Sequence, residues 1–539
     1  MSTPRRKITV TLSGPQVNPA PVADVELALR EAFEKLQQGQ RARAAKLLQR
    51  VLAQVPKHPE ALRLKGVIAL QENRPAKAET TLAELVALQP AHAAAWGNLG
   101  LAVARQNRHD EALRHYDRAL ALAPDFADAH CNRGISLNAL RRFSDALAAY
   151  DRAIELAPAH GDAWRNRGVS LNNLNRYEDA IASYDRAEAV RNTDASARWN
   201  RCLVRLVTGD FAAAWPDYGW RWRVRESRAD PAKPQFWLGK RDTAVQKLPQ
   251  GVPCAYPQPF WDGTPTRKSV LVWPEQGVGE QIMLASILGE ARTRTRAMTL
   301  VLDRKLHSLF RRSFPDCTVI TLEEAAKGGP WELQMPMGDL LSLFRNSSDD
   351  FLRQRKAYMQ ADAIHREALR REIAPGSDRV VGLSWFSRNE EYGPQKTLSP
   401  EMLGPLFATP GLRFVDLQYG NTDKARAEIR NKFGVQIYHS SSVDPWNDID
   451  GLAALVDACD VVVTISTATA HLAGALGKTV LLMLPHSQGR YWYWQATRED
   501  SLWYPEMRLF RQNKPGMWPE VVERVRITLS TEAPQAARH

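Results

Sequence analysis

Cysteine is scarce in this 539-residue chain: five residues, at 131, 202, 254, 317 and 459, far apart from one another. None forms a C-x-x-C pair and the count is odd, which argues against a complete disulfide framework and leaves reduced thiols in a cytoplasmic protein as the plain expectation. Nothing approaches ~18 uninterrupted apolar residues, so no membrane span is expected. The stretch from Met1 to Gly14 carries positive charge without the apolar core of a signal peptide. A net charge of 72 − 60 = +12 suits an acidic ligand such as a nucleotide. Arg and Lys are nevertheless interleaved with acids and no basic–aromatic module occurs, so no nucleic-acid partner is expected. No nucleophile triad and no metal-ligand cluster is visible. The length exceeds what one hydrophobic core supports, and two to four domains are expected.

What is present first is a period. Gly66, Gly100, Gly134 and Gly168 follow one another at 34 residues, as do Pro56, Pro90, Pro124 and Pro158, and Tyr116, Tyr150 and Tyr184. This is the period of a tetratricopeptide-repeat (TPR) array. The glycines allow two helices to approach closely, and the prolines stand where a second helix has ended. Six hairpins are expected, starting near residues 25, 59, 93, 127, 161 and 195. Asn98, Asn132, Asn166 and Asn200 share the spacing and form a ladder on first helices, read as an acceptor-binding row that hydrogen-bonds an extended polypeptide; the alternative is a row of solvated helix residues. After Trp199 the phase is expected to lapse, through Gly209-Asp210-Phe211 to Trp222.

From Ser269 the pattern changes to alternating strands and helices, the signature of parallel sheets with crossover helices. Strands are expected at Ser269–Trp273, Met298–Leu302, Thr318–Ile320, Arg379–Trp385, Arg413–Leu417, Val435–Tyr438, Val461–Ile465 and Val480–Leu484. Helices are expected at Gln281–Thr295, Lys305–Phe314, Pro400–Phe407, Leu452–Cys459 and Ala470–Leu476, with a charged helical connector over about 349 to 373. The domain division read from this is a tail at 1–24, the solenoid at 25–222, a connector at 223–265, one α/β half with a linker helix at 266–375, a second half at 376–528, and a tail at 529–539. The fold class is thus α plus α/β, with two doubly wound halves and a cleft at the carboxyl ends of their strands.

Gly277-Val278-Gly279-Glu280 lies between a strand and a helix, where glycine backbone can approach an anion. Ile282 stands where a third glycine would complete a dinucleotide fingerprint, which discounts an NAD-type site. Glu280 reads either as a first-turn acid or as a general base. Ser466-Thr467-Ala468-Thr469-Ala470-His471 opens a helix after a strand, and its hydroxyls and free N–H groups suit a pyrophosphate; ordinary N-capping is the alternative. Lys396 and Arg388 lie in a loop after another strand, placed to neutralise phosphate. Arg490-Tyr491-Trp492-Tyr493-Trp494 reads equally as a stacking surface or a hydrophobic lid. Asp349-Asp350 reads as capping.

Taken with Trp261-Asp262-Gly263, Leu417-Gln418-Tyr419-Gly420, Ala470-His471-Leu472-Ala473-Gly474-Ala475-Leu476-Gly477 and Trp503 through Gln512, these segments resemble bacterial TPR proteins carrying a GT-B glycosyltransferase module of the family 9, heptosyltransferase-like type. The resemblance implies transfer of a sugar from a nucleotide-sugar donor, without metal or other cofactor. It gives Glu280 the place of the family's catalytic aspartate. It assigns Gly277, Gly279, Ser384, Lys396, Gln418, Ser466, Thr467, Ala468 and His471 to the donor. Ser466 stands where the family's motif has aspartate, and Ala468 where it has glycine, which opens the alternative of a non-catalytic adaptor with a degenerate transferase fold. The architecture is also similar to O-GlcNAc transferases and to flagellin-modifying TPR glycosyltransferases, which implies a polypeptide acceptor such as flagellin. Repeat ends of this kind also support homo-oligomers.

Overall fold

The computed structural model describes residues 23–228, 247–248, 252–254, 256–376, 378–390, 392–487, 489 and 491–531. The expected tails through residue 22 and from 532, most of the connector and Arg490 lie outside the described residues. By their contacts these residues form two compact units, 23–201 and 202–531, divided within one helix.

The first unit is a helical solenoid. Its hairpins are α1 (Ala23–Gln37) with α2 (Arg41–Gln54), α3 (Pro59–Gln71) with α4 (Pro75–Leu88), α5 (Ala93–Ala104) with α6 (His109–Leu122), α7 (Ala127–Ala139) with α8 (Phe143–Leu156), and α9 (Gly161–Asn173) with α10 (Tyr177–Val190). A sixth hairpin, α11 (Ala195–Thr208) with α12 (Phe211–Tyr218), carries the division between the units. The turns explain the regularity. Gly39, Asn73, Asn107, Arg141, Asn175 and Gly209 all take positive φ, between 56° and 86°, and each stands 34 residues after the last. The repeat phase therefore persists through Gly209, beyond the point where the sequence alone loses it. It ends because α12 is short, contains Pro216, and gives way to α13 (Trp220–Arg228).

Inside the four middle hairpins the recurrent glycine meets a side chain 16 residues later. A Cβ on Gly100, Gly134 or Gly168 would lie 2.8, 2.6 or 2.6 Å from the ring of Tyr116, Tyr150 or Tyr184, and one on Gly66 would lie 2.7 Å from Leu82. Between hairpins, Arg133–Asp117, Arg167–Asp151 and Arg201–Asp185 repeat one ion pair at 2.8, 2.6 and 2.5 Å. The carbonyls of Pro90, Pro124 and Pro158 accept from Trp96, His130 and Trp164 at 2.9, 3.0 and 2.9 Å.

The second unit contains two all-parallel sheets. The first has strands β1 (Ser269–Trp273), β2 (Ala297–Val301), β3 (Cys317–Ile320) and β4 (Leu333–Pro336), in the order β3-β2-β1-β4. The second has β5 (Arg379–Ser384), β6 (Leu412–Asp416), β7 (Val461–Ile465), β8 (Thr479–Leu484) and β9 (Met507–Arg511), in the order β9-β8-β7-β5-β6. The Val, Ile and Leu runs of β1, β5, β7 and β8 are buried on both faces, as parallel strands covered by helices require.

Four expectations change. Val435–Tyr438 is not a strand: after Gly434, in the left-handed region, only Tyr438 bridges to β6. The charged stretch from 349 is two helices, Ser348–Gln354 and Ala363–Ile373, the second started by an Asp362 cap on His365 N–H. Pro400–Phe407 is a 3-10 turn, Pro400–Leu403, followed by one α turn, Gly404–Phe407. The helix expected from Gln281 starts earlier, as α14 (Val278–Leu284), so Glu280 is helical and not in a loop. Asp350 does close a capping box with Ser347. No helix among the described residues is long and apolar enough to cross a membrane.

Candidate functional site

Each sheet has a switch point, where one connection leaves the first strand to one side and a later strand joins its other side. Ligand crevices form there, because the flanking loops diverge. In the second sheet the switch lies between β5 and β7. The loop after β5 ends in the turn Gly393–Lys396, and Lys396 donates from Nζ to the Ser466 carbonyl, just after β7, at 3.2 Å. In the first sheet the switch lies between β1 and β4. Glu275, just after β1, meets the loop after β4, where a Cβ on Gly338 would lie 2.0 Å from its carboxylate.

The two crevices belong to one compact unit, and their helices touch. Gly279 sits in the first turn of α14, and a Cβ there would approach Ala468 Cα and the His471 ring, each at 3.2 Å. Ala468 and His471 belong to α20 (Ala468–Ala475), taking the intervening helices Ser348–Gln354, Ala363–Ile373, Asp423–Phe433 and Ile449–Asp457 in order as α16 to α19 and His307–Ser313 as α15. Glycine at 279 thus has a steric cause: it lets two helix amino termini converge. At Gly277, with φ −69°, the backbone makes no such demand.

Glu280 is half-buried, and burial raises its carboxyl above the ordinary range, while its own backbone N–H and the Lys396 charge pull the other way. Burial pushes Lys396 down to about 8, opposed by Glu280. Its ammonium also stands 4.9 Å from the centre of the Tyr491 ring. Thr467 holds the N-cap position of α20 without a side-chain cap bond, and the Ser466 hydroxyl accepts from Trp494 Nε1 at 2.8 Å. Neither hydroxyl therefore caps the helix, and its first-turn N–H groups have no side-chain cap. His471 is buried, stacked on Trp494 at 4.9 Å and bonded through Nδ1 to the Tyr504 hydroxyl at 2.9 Å. Burial, helped by Lys396, lowers its pKa to about 3, so it is neutral.

The structure thus brings together Gly277, Gly279, Glu280, Lys396, Ser466, Thr467, Ala468 and His471. Ser384 and Gln418 do something else. The Gln418 carbonyl oxygen accepts from the Ser384 hydroxyl and from Trp385 and Phe386 N–H at 3.2, 3.0 and 2.9 Å, and its amide donates to the Phe386 carbonyl at 3.1 Å. Both side chains brace the loop after β5. Tyr493 and Trp494 are buried around His471, so the inner half of the aromatic run is core. In the solenoid, Asn98, Asn132 and Asn166 are only 4%, 8% and 6% exposed, and Asn200 is half-buried. The ladder is real in position but largely closed to solvent.

Sequence reasoning missed the support beneath the site. Arg221 of α13 is buried and donates to both Glu275 oxygens at 2.9 Å and to Asp339 at 2.5 Å; Arg225 adds a bond to Glu275 at 2.7 Å. The Arg221 guanidinium lies over Tyr218 and Trp222, at 4.1 and 4.4 Å. In the segment up to Trp222, where the repeat phase was expected to lapse, nothing announced a buried carboxylate partner 54 residues onward.

These features define a protein of tetratricopeptide repeats followed by a parallel α/β domain. Residues 35–102, 93–126 and 131–197 match models of the tetratricopeptide repeat family. Among individual proteins, the chain is 29% identical over 372 residues to Protein FlbA of Caulobacter vibrioides. That match covers 62% of this chain and 61% of the relative, so the chain spans about three-fifths of the length of the curated relative it matches. Among solved structures, MamA is similar at 23% identity and TM-score 0.28, over 30% of this chain and 96% of that one. A thermophilic TPR protein of Thermus thermophilus is similar at 21% identity and TM-score 0.30, over 34% of this chain and 99% of that one. Both likenesses are slight.

Proposed function

We propose that the α/β domain is a glycosyltransferase that moves a sugar from a nucleotide-sugar donor to a polypeptide acceptor captured by the repeats, within the cytoplasm. The observation that supports this best is the meeting, at two switch points, of one carboxylate (Glu280), one buried lysine (Lys396) and the uncapped amino terminus of α20. Tetratricopeptide repeats are protein-interaction modules, and a flagellin-like polypeptide is the acceptor class we favour. In the reaction, an acceptor hydroxyl oxygen attacks the anomeric carbon, the bond from that carbon to the diphosphate oxygen breaks, and the hydroxyl proton passes to Glu280. Its raised pKa makes Glu280 a stronger base than a solvated carboxylate. Lys396 and the N–H groups of α20 stabilise the departing diphosphate.

A second reading, a non-catalytic adaptor, draws on the Ser466–Trp494 bond, which fills with an indole contact the place where the resembling family has an acid. A thermal-shift screen against nucleoside diphosphates and sugar nucleotides separates the two. A ligand at a hundred times its Kd adds about 2.7 kcal/mol to stability. If a nucleotide shifts the melting temperature, Glu280→Gln should then keep that shift and abolish sugar transfer. Binding by neither wild type nor variant favours the adaptor.

A further inference from the structure

Beside the donor crevice lies an aromatic step of which the sequence reading touched only Tyr419. Trp446 is 51% exposed and Phe386 37% exposed. Tyr419 lies between them, its ring 5.3 Å from Trp446 and 6.4 Å from Phe386. Exposed aromatics in a contiguous row are uncommon on a surface with nothing to bind. Cations border this one: Lys305 Nζ lies 4.9 Å from the Trp446 ring centre and donates to its carbonyl at 2.8 Å. Arg388 is exposed, and its backbone N–H donates to the Tyr419 hydroxyl at 2.8 Å.

Position ties this step to the crevice. Phe386 and Lys396 stand at opposite ends of one loop, pinned by Gln418 at its start and by a Ser387 N–H to Thr397 hydroxyl bond at 3.1 Å. Tyr419 follows β6 and Thr467 follows β7, with β5 alone between them. Two ladder spacings amount to roughly 10 Å, comparable with the span from base to diphosphate in an extended nucleoside diphosphate.

We infer that Tyr419 and Trp446, with Phe386, form the stacking platform for the base of a nucleoside diphosphate whose phosphates lie at Lys396 and the amino terminus of α20. This rests on the donor reading above. The step serves the task that the sequence offered to residues 491–494, whose inner rings are buried.

Calorimetric titration of the full chain with uridine and adenosine diphosphates, and with inorganic pyrophosphate, tests it. Stacking predicts that a nucleoside diphosphate binds tighter than pyrophosphate. Trp446→Ala should weaken nucleoside diphosphate binding by about 10- to 100-fold and leave pyrophosphate unchanged; Trp446→Phe should recover most of the loss. Lys396→Ala should weaken both. Nucleoside diphosphate affinity unaltered by Trp446→Ala, or equal to that of pyrophosphate, overturns the platform and leaves the donor crevice standing. Failure of folded wild-type protein to bind either ligand overturns both.

Discussion

Replacing Gly134 with alanine puts a methyl carbon 2.6 Å from Cε1 and 2.8 Å from Cζ of Tyr150. Carbon atoms settle at roughly 3.5–4.0 Å, so α7 and α8 must part by about 1 Å or the ring must leave its place. The ring has nowhere to go: Tyr150 is fully buried and its hydroxyl accepts from Asn138 at 3.1 Å. Overpacking of this kind costs about 1–3 kcal/mol, and a lost hydrogen bond about 1 kcal/mol more. Alanine returns up to about 1 kcal/mol through helix propensity. The net expectation is a loss of about 1–3 kcal/mol. Gly66→Ala should lose less, because it meets the flexible Leu82 and not a pinned ring. Hydrogen exchange of α7 and α8 in the full chain reads the change locally. A double-mutant cycle with Tyr150→Leu isolates the clash, and Gly134→Ala should be at least 1 kcal/mol less harmful in that background. Additivity of the two substitutions would refute the steric account.

Other outcomes follow from the same structure. Arg221→Ala leaves the buried Glu275 with Arg225 alone and should destabilise the second unit by about 3–5 kcal/mol, read by denaturant unfolding. His471 is held to about 3 in the folded state, so the unfolded chain binds more protons between about pH 3 and pH 6.5, and stability falls as pH drops through that window. On going from pH 7 to pH 4.5, His471→Phe should lose about 2 kcal/mol less than wild type, measured by urea midpoints. Gly289→Ala, with open space where its new Cβ would stand, should raise stability by about 0.5–1 kcal/mol in calorimetry.

The solenoid was legible because its constraint is local and recurs. One glycine must face one large side chain 16 residues on, and one turn residue must take positive φ every 34, so chance cannot mimic the columns. Most strands of the sheets were legible as apolar runs. β4 was not: Leu333–Pro336 is four residues long, with a fully buried Gln334 whose oxygen accepts from Trp273 Nε1 at 2.9 Å. A polar residue satisfied by a partner 61 positions away leaves no periodic trace. The same holds at the site. Glycine between a strand and a helix, and hydroxyls opening the next, marked Gly279 and Thr467. Ser384 and Gln418 carry the same polar chemistry but spend it on their own loop, which sequence could not distinguish from spending it on a ligand.

The Arg221 cluster also imposes an order in time. Its partners lie 54 and 118 residues downstream, so during synthesis the guanidinium emerges from the ribosome well before Glu275 and Asp339. An unpaired arginine resists burial, so docking of α13 waits at least for Glu275, its first carboxylate partner. The nascent repeats can stack from local contacts meanwhile, while the Arg221 cluster gains its last carboxylate only when the chain has passed Asp339. A ribosome stalled before that residue would display folded repeats on an unassembled α/β domain.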